Sequence, residues 1–347
     1  MPLPALEKAK EEFLDFAGTG MSVLEISHRT KEWQTAIDQA TDLVKDLLGV
    51  PSEYKILWLS GGASTQFYMV PLNLQVKDKP MEYVNTGGWS TKAIKEAKLY
   101  GEVKVIASSE EEKFSYIPSD VTFSDNTAFA HITGNNTLYG TEWQSIPNTS
   151  DDVPLVIDLS SNLMDQEMDV KNFGMIYAGA QKNLGPAGVT LVVVREDLIN
   201  RVPEATPSMQ KWSTHVGKGS MFNTPPVFPI YMCKLALEYL KGIGGVKTLE
   251  KINREKAKIL YDVIDGSDGF YKGHARKDSR SLMNVTYTLA SEDLETKCVA
   301  GGTERGLIGL KGHRSVGGMR ASIYNAMPIE GVKALAEYLE EFKEQNQ

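Results

Sequence analysis

The stretch Tyr177-Ala178-Gly179-Ala180-Gln181-Lys182-Asn183-Leu184-Gly185-Pro186-Ala187-Gly188 decides how this chain is read. One β-rich run, 175–177, enters it and another, 189–194, leaves it. Small residues, glycines and a proline between two apolar runs describe a tight loop off the end of a buried strand. Such a loop lets a bulky planar ligand approach the backbone closely. A lysine in that setting points into a partly desolvated place. Desolvation lowers an amine's pKa and makes it a better nucleophile toward a carbonyl.

Working outward, further β-rich runs lie at 54–59, 81–84, 103–107, 128–132 and 155–159, each followed by a turn or a helical stretch such as 91–100. Strands alternating with helices predict an α/β fold around a mainly parallel, buried sheet. Before them, Leu6, Ala9, Phe13 and Phe16 mark a first amphipathic helix. Trp33, Ile37, Ala40, Val44, Leu47 and Leu48 mark a second, closed by Gly49. After Pro229 the character changes. Helices are predicted over 231–240 and 246–264 with a Gly-rich break at 242–245, then strands at 283–289 and 319–323 around a helix near 292–298. A last helix opens at Pro328 and turns Val332, Leu335, Leu339 and Phe342 inward. The chain therefore divides into a large domain, 1–245, and a smaller α+β domain, 246–347. No internal repeat or low-complexity segment is present.

The 347 residues carry a net charge of −8, which argues against a broad nucleic-acid surface but leaves room for a local basic pocket. Cys233 and Cys298 form no CxxC pair and no HExxH occurs, so neither a disulfide framework nor a metal site is expected. The N-terminus runs straight into a charged amphipathic segment, unlike a signal peptide, and the most apolar run is far too short to span a bilayer. These features predict a cytoplasmic protein without membrane association, in which the sequons at Asn135, Asn148 and Asn284 are chance matches.

Three further pieces surround Lys182. Asp158 ends the apolar run Val156-Ile157-Asp158, and an acid at the end of a buried strand needs a charged or hydrogen-bonding partner; a protonated pyridine nitrogen is one such partner. Gly61-Gly62-Ala63-Ser64-Thr65-Gln66-Phe67 follows a strand, and a small-residue turn leading into a helix N-terminus is a ready anion site. Trp89, after Gly87-Gly88, can stack on a planar ring or pack as core at a helix start. Neither a Walker A pattern nor a GxGxxG after a strand occurs, so nucleotide binding has no support.

These residues, together with Ser27-His28-Arg29, Gly219-Ser220-Met221-Phe222-Asn223-Thr224-Pro225-Pro226 and the run from Lys311-Gly312-His313-Arg314 to Met319-Arg320-Ala321-Ser322, resemble the phosphoserine aminotransferase family along nearly the whole chain. The resemblance implies the PLP-dependent transferase fold type I: a large domain with a mainly parallel mixed sheet plus the smaller α+β C-terminal domain. It implies pyridoxal 5′-phosphate (PLP) as cofactor, Lys182 as the Schiff-base lysine and proton carrier, and Asp158 as the partner of the pyridine nitrogen. Trp89 is similar to the ring-stacking aromatic, Ala63 and Ser64 to the phosphate-holding turn, Thr137 to the residue bonding the ring hydroxyl, and Gln181 to a further cofactor contact. Asn223 and Thr224 match a pair that reaches the phosphate from a neighbouring subunit, which implies a homodimer with shared active sites. Arg29 and Arg320 look like substrate arginines, with Arg320 on the α-carboxylate. His28, His313 and Arg314 resemble the cluster that takes the substrate phosphate or the glutamate side chain.

The activity so implied is reversible amino transfer from L-glutamate to 3-phosphohydroxypyruvate, giving O-phospho-L-serine and 2-oxoglutarate, with a phosphorylated hydroxythreonine of vitamin B6 synthesis as a second product. Where some members carry an arginine, this chain has Ser64, so the substrate phosphate relies more on the histidines and the other arginines. Family members also carry a segment before the first helix that contributes to substrate binding and is not among these residues. Three alternatives accompany this reading: an alanine–glyoxylate type of aminotransferase, a cysteine desulfurase, which needs a mobile cysteine, and a PLP-binding form inactive for want of that segment.

Overall fold

The computed structural model describes residues 1–347. Helix α1 (Leu3–Glu12) is followed by α2 (Lys31–Leu48). The α2 boundaries follow from local chemistry: Thr30 Oγ1 accepts from Trp33 N at the start, and Gly49 adopts the left-handed conformation (φ 61°) that ends it. Between them, Trp33, Ala36, Ile37, Ala40, Val44 and Leu48 form one buried stripe. Helix α1 ends sooner than its apolar spacing predicts. Ala5 and Ala9 are its buried residues, Leu6 is exposed, and Phe16 is buried in the turn beyond.

The chain then alternates β1 (Tyr54–Ser60), α3 (Ser64–Leu74), β2 (Met81–Asn85), α4 (Gly88–Ala97), β3 (Val103–Ser108) and β4 (Ala130–Thr133). Helix α4 starts three residues before the predicted stretch. The Ser90 hydroxyl accepts from the N–H groups of both Thr86 and Gly87, and this fixes the first turn. A small ribbon follows, β5 (Asn135–Asn136) with β6 (Thr141–Glu142), then β7 (Leu155–Asp158), β8 (Met175–Gly179) and β9 (Val189–Arg195). Sequence periodicity does not show the ribbon, because all four of its residues are polar.

Seven of these strands form one sheet in the order β1-β9-β8-β7-β4-β2-β3. Only β9 is reversed, pairing antiparallel with both β8 and β1; the other pairings are parallel. The sheet is thus mixed but mainly parallel, as expected, and all seven strand runs read from the sequence lie in it. Its inner strands are buried on both faces, which is why they read as apolar runs, while the edge strand β3 is partly exposed. Along β9, Val189, Leu191 and Val193 enter a core shared with α2 and α6 (Val227–Gly242), while Val192 and Val194 enter a core shared with α3 and α4. The short helix α5 (Trp212–Val216) adds Trp212 to the second core.

Helix α7 (Gly245–Asp265) starts in the first core with Val246 and Leu249 and ends in a third with Ala257, Leu260 and Ile264. That third core lies between α7, an antiparallel sheet of β10 (Lys272–Gly273), β11 (Asn284–Thr288) and β12 (Met319–Ser322), and helix α9 (Ile329–Asn346). Strand β10 is two exposed residues, too short for any alternation to show. Helix α8 (Glu292–Glu304) runs six residues past the predicted 298, straight through Gly301-Gly302. A Cβ at Gly301 would lie 2.7 Å from Tyr338 Oη, and one at Gly302 2.8 Å from Leu310 Cδ1. These glycines let α8 lie close against α9 instead of ending the helix. No helix is long and apolar enough to cross a membrane.

Candidate active site

Six strands of the large sheet point the same way, and their carboxyl ends share one edge. In open α/β sheets this is the edge where ligands bind. Strand register aligns Thr133 (β4) with Asp158 (β7) and Asp158 with Tyr177 (β8). Just beyond them lie the turn 61–64 after β1, the start of α4 after β2, and the 180–188 loop after β8. They enclose a cleft, open to solvent, lined by Gly62, Ala63, Ser64, Phe67, Trp89, Thr133, Asn135, Thr137, Asp158, Ser160, Ser161, Gln181 and Lys182.

The Lys182 amine donates to Thr137 Oγ1 at 2.7 Å and lies 5.4 Å from the centre of the Trp89 ring. Burial pushes its pKa down to about 8; Asp158 opposes the shift and Arg320 adds to it. Asp158 is 5% exposed. Its Oδ1 accepts from Ser160 N at 2.9 Å and Ser160 Oγ at 2.6 Å. Burial raises the Asp158 pKa against the pull of those donors and of Lys182. Ser160 Oγ also accepts from Gly179 N, tying the acid to the strand that delivers the lysine.

The anion turn is held against the same loop. Gly61 has φ 101°, a conformation that favours glycine, and its N–H donates to Gly188 O. A Cβ at Gly179 would lie 3.3 Å from Ala63 N, so a glycine there lets the end of β8 approach the first turn of α3. The N–H groups at such a helix start lack partners within the helix and suit an anion. Three buried polar atoms of the cleft residues have no partner in the protein: Trp89 Nε1, Thr133 Oγ1 and Asn135 Oδ1. Unsatisfied buried groups are uncommon in folded chains and mark a place for a polar ligand.

Of the residues singled out in the sequence, Ala63, Ser64, Trp89, Thr137, Asp158, Gln181 and Lys182 come together in this cleft. Arg320 on β12 meets it at Thr137, whose carbonyl accepts from Nη1 at 3.5 Å, while its Nε is buried without a partner. Arg320 also lines a neighbouring cavity with Lys113, His274 and the 315–318 loop. His28 and Arg29 lie in the turn before α2, and His313 bonds Ser315 in its own loop; these three and Arg314 do not line the Lys182 cleft. Asn223 and Thr224 are exposed and also lie outside it.

Thr133 and Asn135 were missed in the sequence. Thr133 was legible as the residue directly after the β-rich run 128–132, at the end of β4. Asn135 stood in a sequon, yet it is buried and its amide donates to Asn284 Oδ1, in a second sequon, at 2.8 Å. Both cysteines are fully buried; burial raises the Cys233 thiol and pushes Cys298 up to about 11. Neither is placed as a mobile nucleophile. Cys298 lies within α8 rather than near its end.

Comparison with known proteins agrees with this architecture. Residues 1–335 match the model of the class-V aminotransferases, and the chain belongs to that family. Among its members, the chain is 52% identical over 345 residues to the phosphoserine aminotransferase of Geobacillus kaustophilus, covering 99% of this chain and 95% of that one. The solved phosphoserine aminotransferase of Bacillus circulans subsp. alkalophilus superposes with a TM-score of 0.98 at 46% identity, over 100% of this chain and 96% of that one. The PLP-bound phosphoserine aminotransferase of Trichomonas vaginalis does so with a TM-score of 0.93 at 34% identity, over 98% and 97%.

Proposed function

We propose that this chain is a phosphoserine aminotransferase that moves the amino group of L-glutamate to 3-phosphohydroxypyruvate, giving O-phospho-L-serine and 2-oxoglutarate, with PLP as cofactor. The observation that carries the chemistry is the pairing, in one cleft, of a half-buried lysine with its pKa near 8 and a buried acid. Full-length identity near 50% to curated phosphoserine aminotransferases carries the substrate assignment.

The cleft residues fit the cofactor. Lys182 offers a desolvated amine for its carbonyl carbon, Asp158 an acceptor for the proton on its ring nitrogen, and the 61–64 turn a site for its phosphate. Thr137 and Gln181 offer polar contacts, and Trp89 a stacking face beside the amine. When bound, PLP supplies an electron sink for the charge left on the substrate α-carbon. The chain's own residues do the rest. With substrate bound, the free Lys182 amine would take the proton from the substrate α-carbon as general base and deliver it, as general acid, to the cofactor carbon that had carried the carbonyl. Asp158, oriented by the two Ser160 donors, holds the ring-nitrogen proton in place. Arg320 offers its guanidinium to the substrate α-carboxylate, an arrangement that suits a planar fork.

The same proposal takes the working form to be a homodimer. Asn223 and Thr224 are exposed on this chain beside exposed Phe222, and Phe13, Leu14, Met21 and Leu24 add further exposed apolar surface. A second copy covering these residues would bring Asn223 and Thr224 to its own cofactor phosphate. His28, His313 and Arg314 then serve the substrate phosphate or the glutamate side chain, with Arg29 as a further substrate arginine. The proposal also covers the phosphorylated hydroxythreonine of vitamin B6 synthesis as a second product, a cytoplasmic setting, and a division into domains 1–245 and 246–347, supported by the separate third core.

A half-reaction experiment tests the function. The visible band of the PLP-loaded protein is recorded, glutamate is added, and then 3-phosphohydroxypyruvate. Loss of the band with glutamate and its return with the phosphorylated keto acid is the expected outcome. A band restored by glyoxylate and not by the phosphorylated acid overturns the substrate assignment, and a protein that never acquires a band overturns the cofactor.

A further inference from the structure

Lys256 has no solvent exposure, yet it sits on α7 among residues that form the domain cores. Its Nζ donates to three main-chain carbonyls: Ile323 at 3.0 Å, Tyr324 at 2.9 Å and Met327 at 3.2 Å. An ammonium has three N–H donors, and here all three have acceptors. Burying a charge without a counter-ion is unfavourable, and an apolar side chain of this length would pack on α7 without that penalty. What the ammonium adds is convergence: it draws together three carbonyl dipoles of one non-helical turn, 323–327, between β12 and α9.

That turn touches the Lys182 site by two routes. Along the first, Asn325 N donates to Asn183 Oδ1 at 3.1 Å, and Asn183 is the residue after Lys182. The Asn325 side chain is itself held on both sides: Nδ2 donates to Leu163 O at 3.0 Å, and Oδ1 accepts from Asn253 Nδ2 at 3.0 Å. Along the second, the Tyr324 hydroxyl accepts from Asn284 Nδ2 at 3.3 Å, and Asn284 Oδ1 accepts from Asn135 of the cleft at 2.8 Å. The turn also directly follows the strand that carries Arg320.

We infer that Lys256 is a positioning residue for Lys182: its ammonium fixes the 323–327 turn, and Asn325 and Asn183 pass that constraint to the loop that holds the cleft lysine. The inference rests on the reading that Lys182 captures PLP. Removing the ammonium frees the turn, the loop relaxes outward, and Lys182 gains water. Its amine then regains part of the ordinary lysine proton affinity.

The test follows PLP capture by the full-length protein stripped of cofactor, as a function of pH, alongside thermal unfolding. The expected midpoint of the unaltered chain is near 8, where burial places both Lys182 and Lys256, and variants without Lys256 report Lys182 alone. Lys256→Met moves it up by about one unit, which is roughly tenfold slower capture at neutral pH. Asn183→Ala moves it in the same direction, and the double variant moves it no further than the larger single one, because both act on one path. Lys256→Gln, uncharged but polar, replaces Lys256→Met if the latter does not fold, and the same shift is expected. A lowered melting temperature with an unmoved midpoint makes Lys256 merely structural and overturns the inference, as do additive shifts in the double variant. An unaltered chain that captures no PLP at any pH overturns the reading of the site itself, an outcome distinct from an unmoved midpoint.

Discussion

Lys182 and Arg320 meet on one residue: Thr137 accepts from the lysine through its hydroxyl at 2.7 Å and from the arginine through its carbonyl at 3.5 Å. The group proposed to carry the proton and the group proposed to hold the substrate carboxylate are therefore indexed to the same short segment after β5. Lys182 lies in the loop after β8 of the large sheet and Arg320 on β12 of the small one, and Thr137 ties the two together. Thr137→Val keeps the shape and removes the hydroxyl. Its loss should weaken cofactor retention by about tenfold, the effect of one hydrogen bond to a charged group of ~1.5 kcal/mol, and leave melting nearly unchanged. Equilibrium dialysis of PLP against the variant measures it; unchanged retention would show that the hydroxyl only spaces the lysine.

Lys182→Ala removes both the nucleophile and the proton carrier. Turnover should fall by at least ~10⁴-fold, near the upper range for loss of a general acid–base group. Single-turnover absorbance with glutamate on the PLP-incubated variant is the measurement. Retained amino transfer would transfer the role to another group and remove the basis of the proposed mechanism.

Asp158→Asn tests the acid. An amide can still accept from Ser160, so the local fold is preserved, but it cannot hold a proton on a ring nitrogen by charge. The glutamate half-reaction should slow by about 10²-fold or more, on the scale of losing one well-placed electrostatic partner. Circular dichroism should be unchanged. Burial raises the Asp158 pKa in the cofactor-free chain, so acidification should weaken PLP capture there, whereas a pyridinium proton paired with the carboxylate would keep it ionised in the loaded protein.

How much of this was open to view in the sequence depends on what kind of force shapes each element. The inner sheet strands were legible because both of their faces are buried and the apolar runs are continuous, as in Val189–Arg195. Lys182, Asp158 and the 61–64 turn were legible because strand ends and small-residue loops have a local signature. The ribbon at 135–142 was not: Asn135, Asn136, Thr141 and Glu142 are polar and buried, and their burial is repaid by partners distant in sequence, such as Asn284 and the Leu282 N–H. The Lys256 clamp was illegible for the same reason, since a lysine on an amphipathic helix reads as solvated until the carbonyls of 323–327 fold over it. The grouping of His28, Arg29, His313 and Arg314 rests on resemblance alone, because within one chain they do not meet in the cleft.

Helix α8 offers a test of the opposite kind, at a place remote from the cleft. Its Gly301-Gly302 pair reads as a helix stop, yet the helix continues because the missing side chains let Tyr338 and Leu310 come close. On helix propensity alone, Gly302→Ala should stabilise the protein by up to ~1 kcal/mol. The packing argues the reverse: a Cβ there would stand 2.8 Å from Leu310 Cδ1 and 3.3 Å from the Tyr338 ring, and Leu310 and Tyr338 are both buried. Overpacking of this kind costs about 1–3 kcal/mol, more than the propensity gain. The variant should therefore melt at a lower temperature while its PLP capture midpoint stays near 8. Thermal unfolding measures the first and the pH dependence of capture the second. A more stable variant would show that α8 and α9 separate without cost, and that the glycines are there for some reason other than close packing.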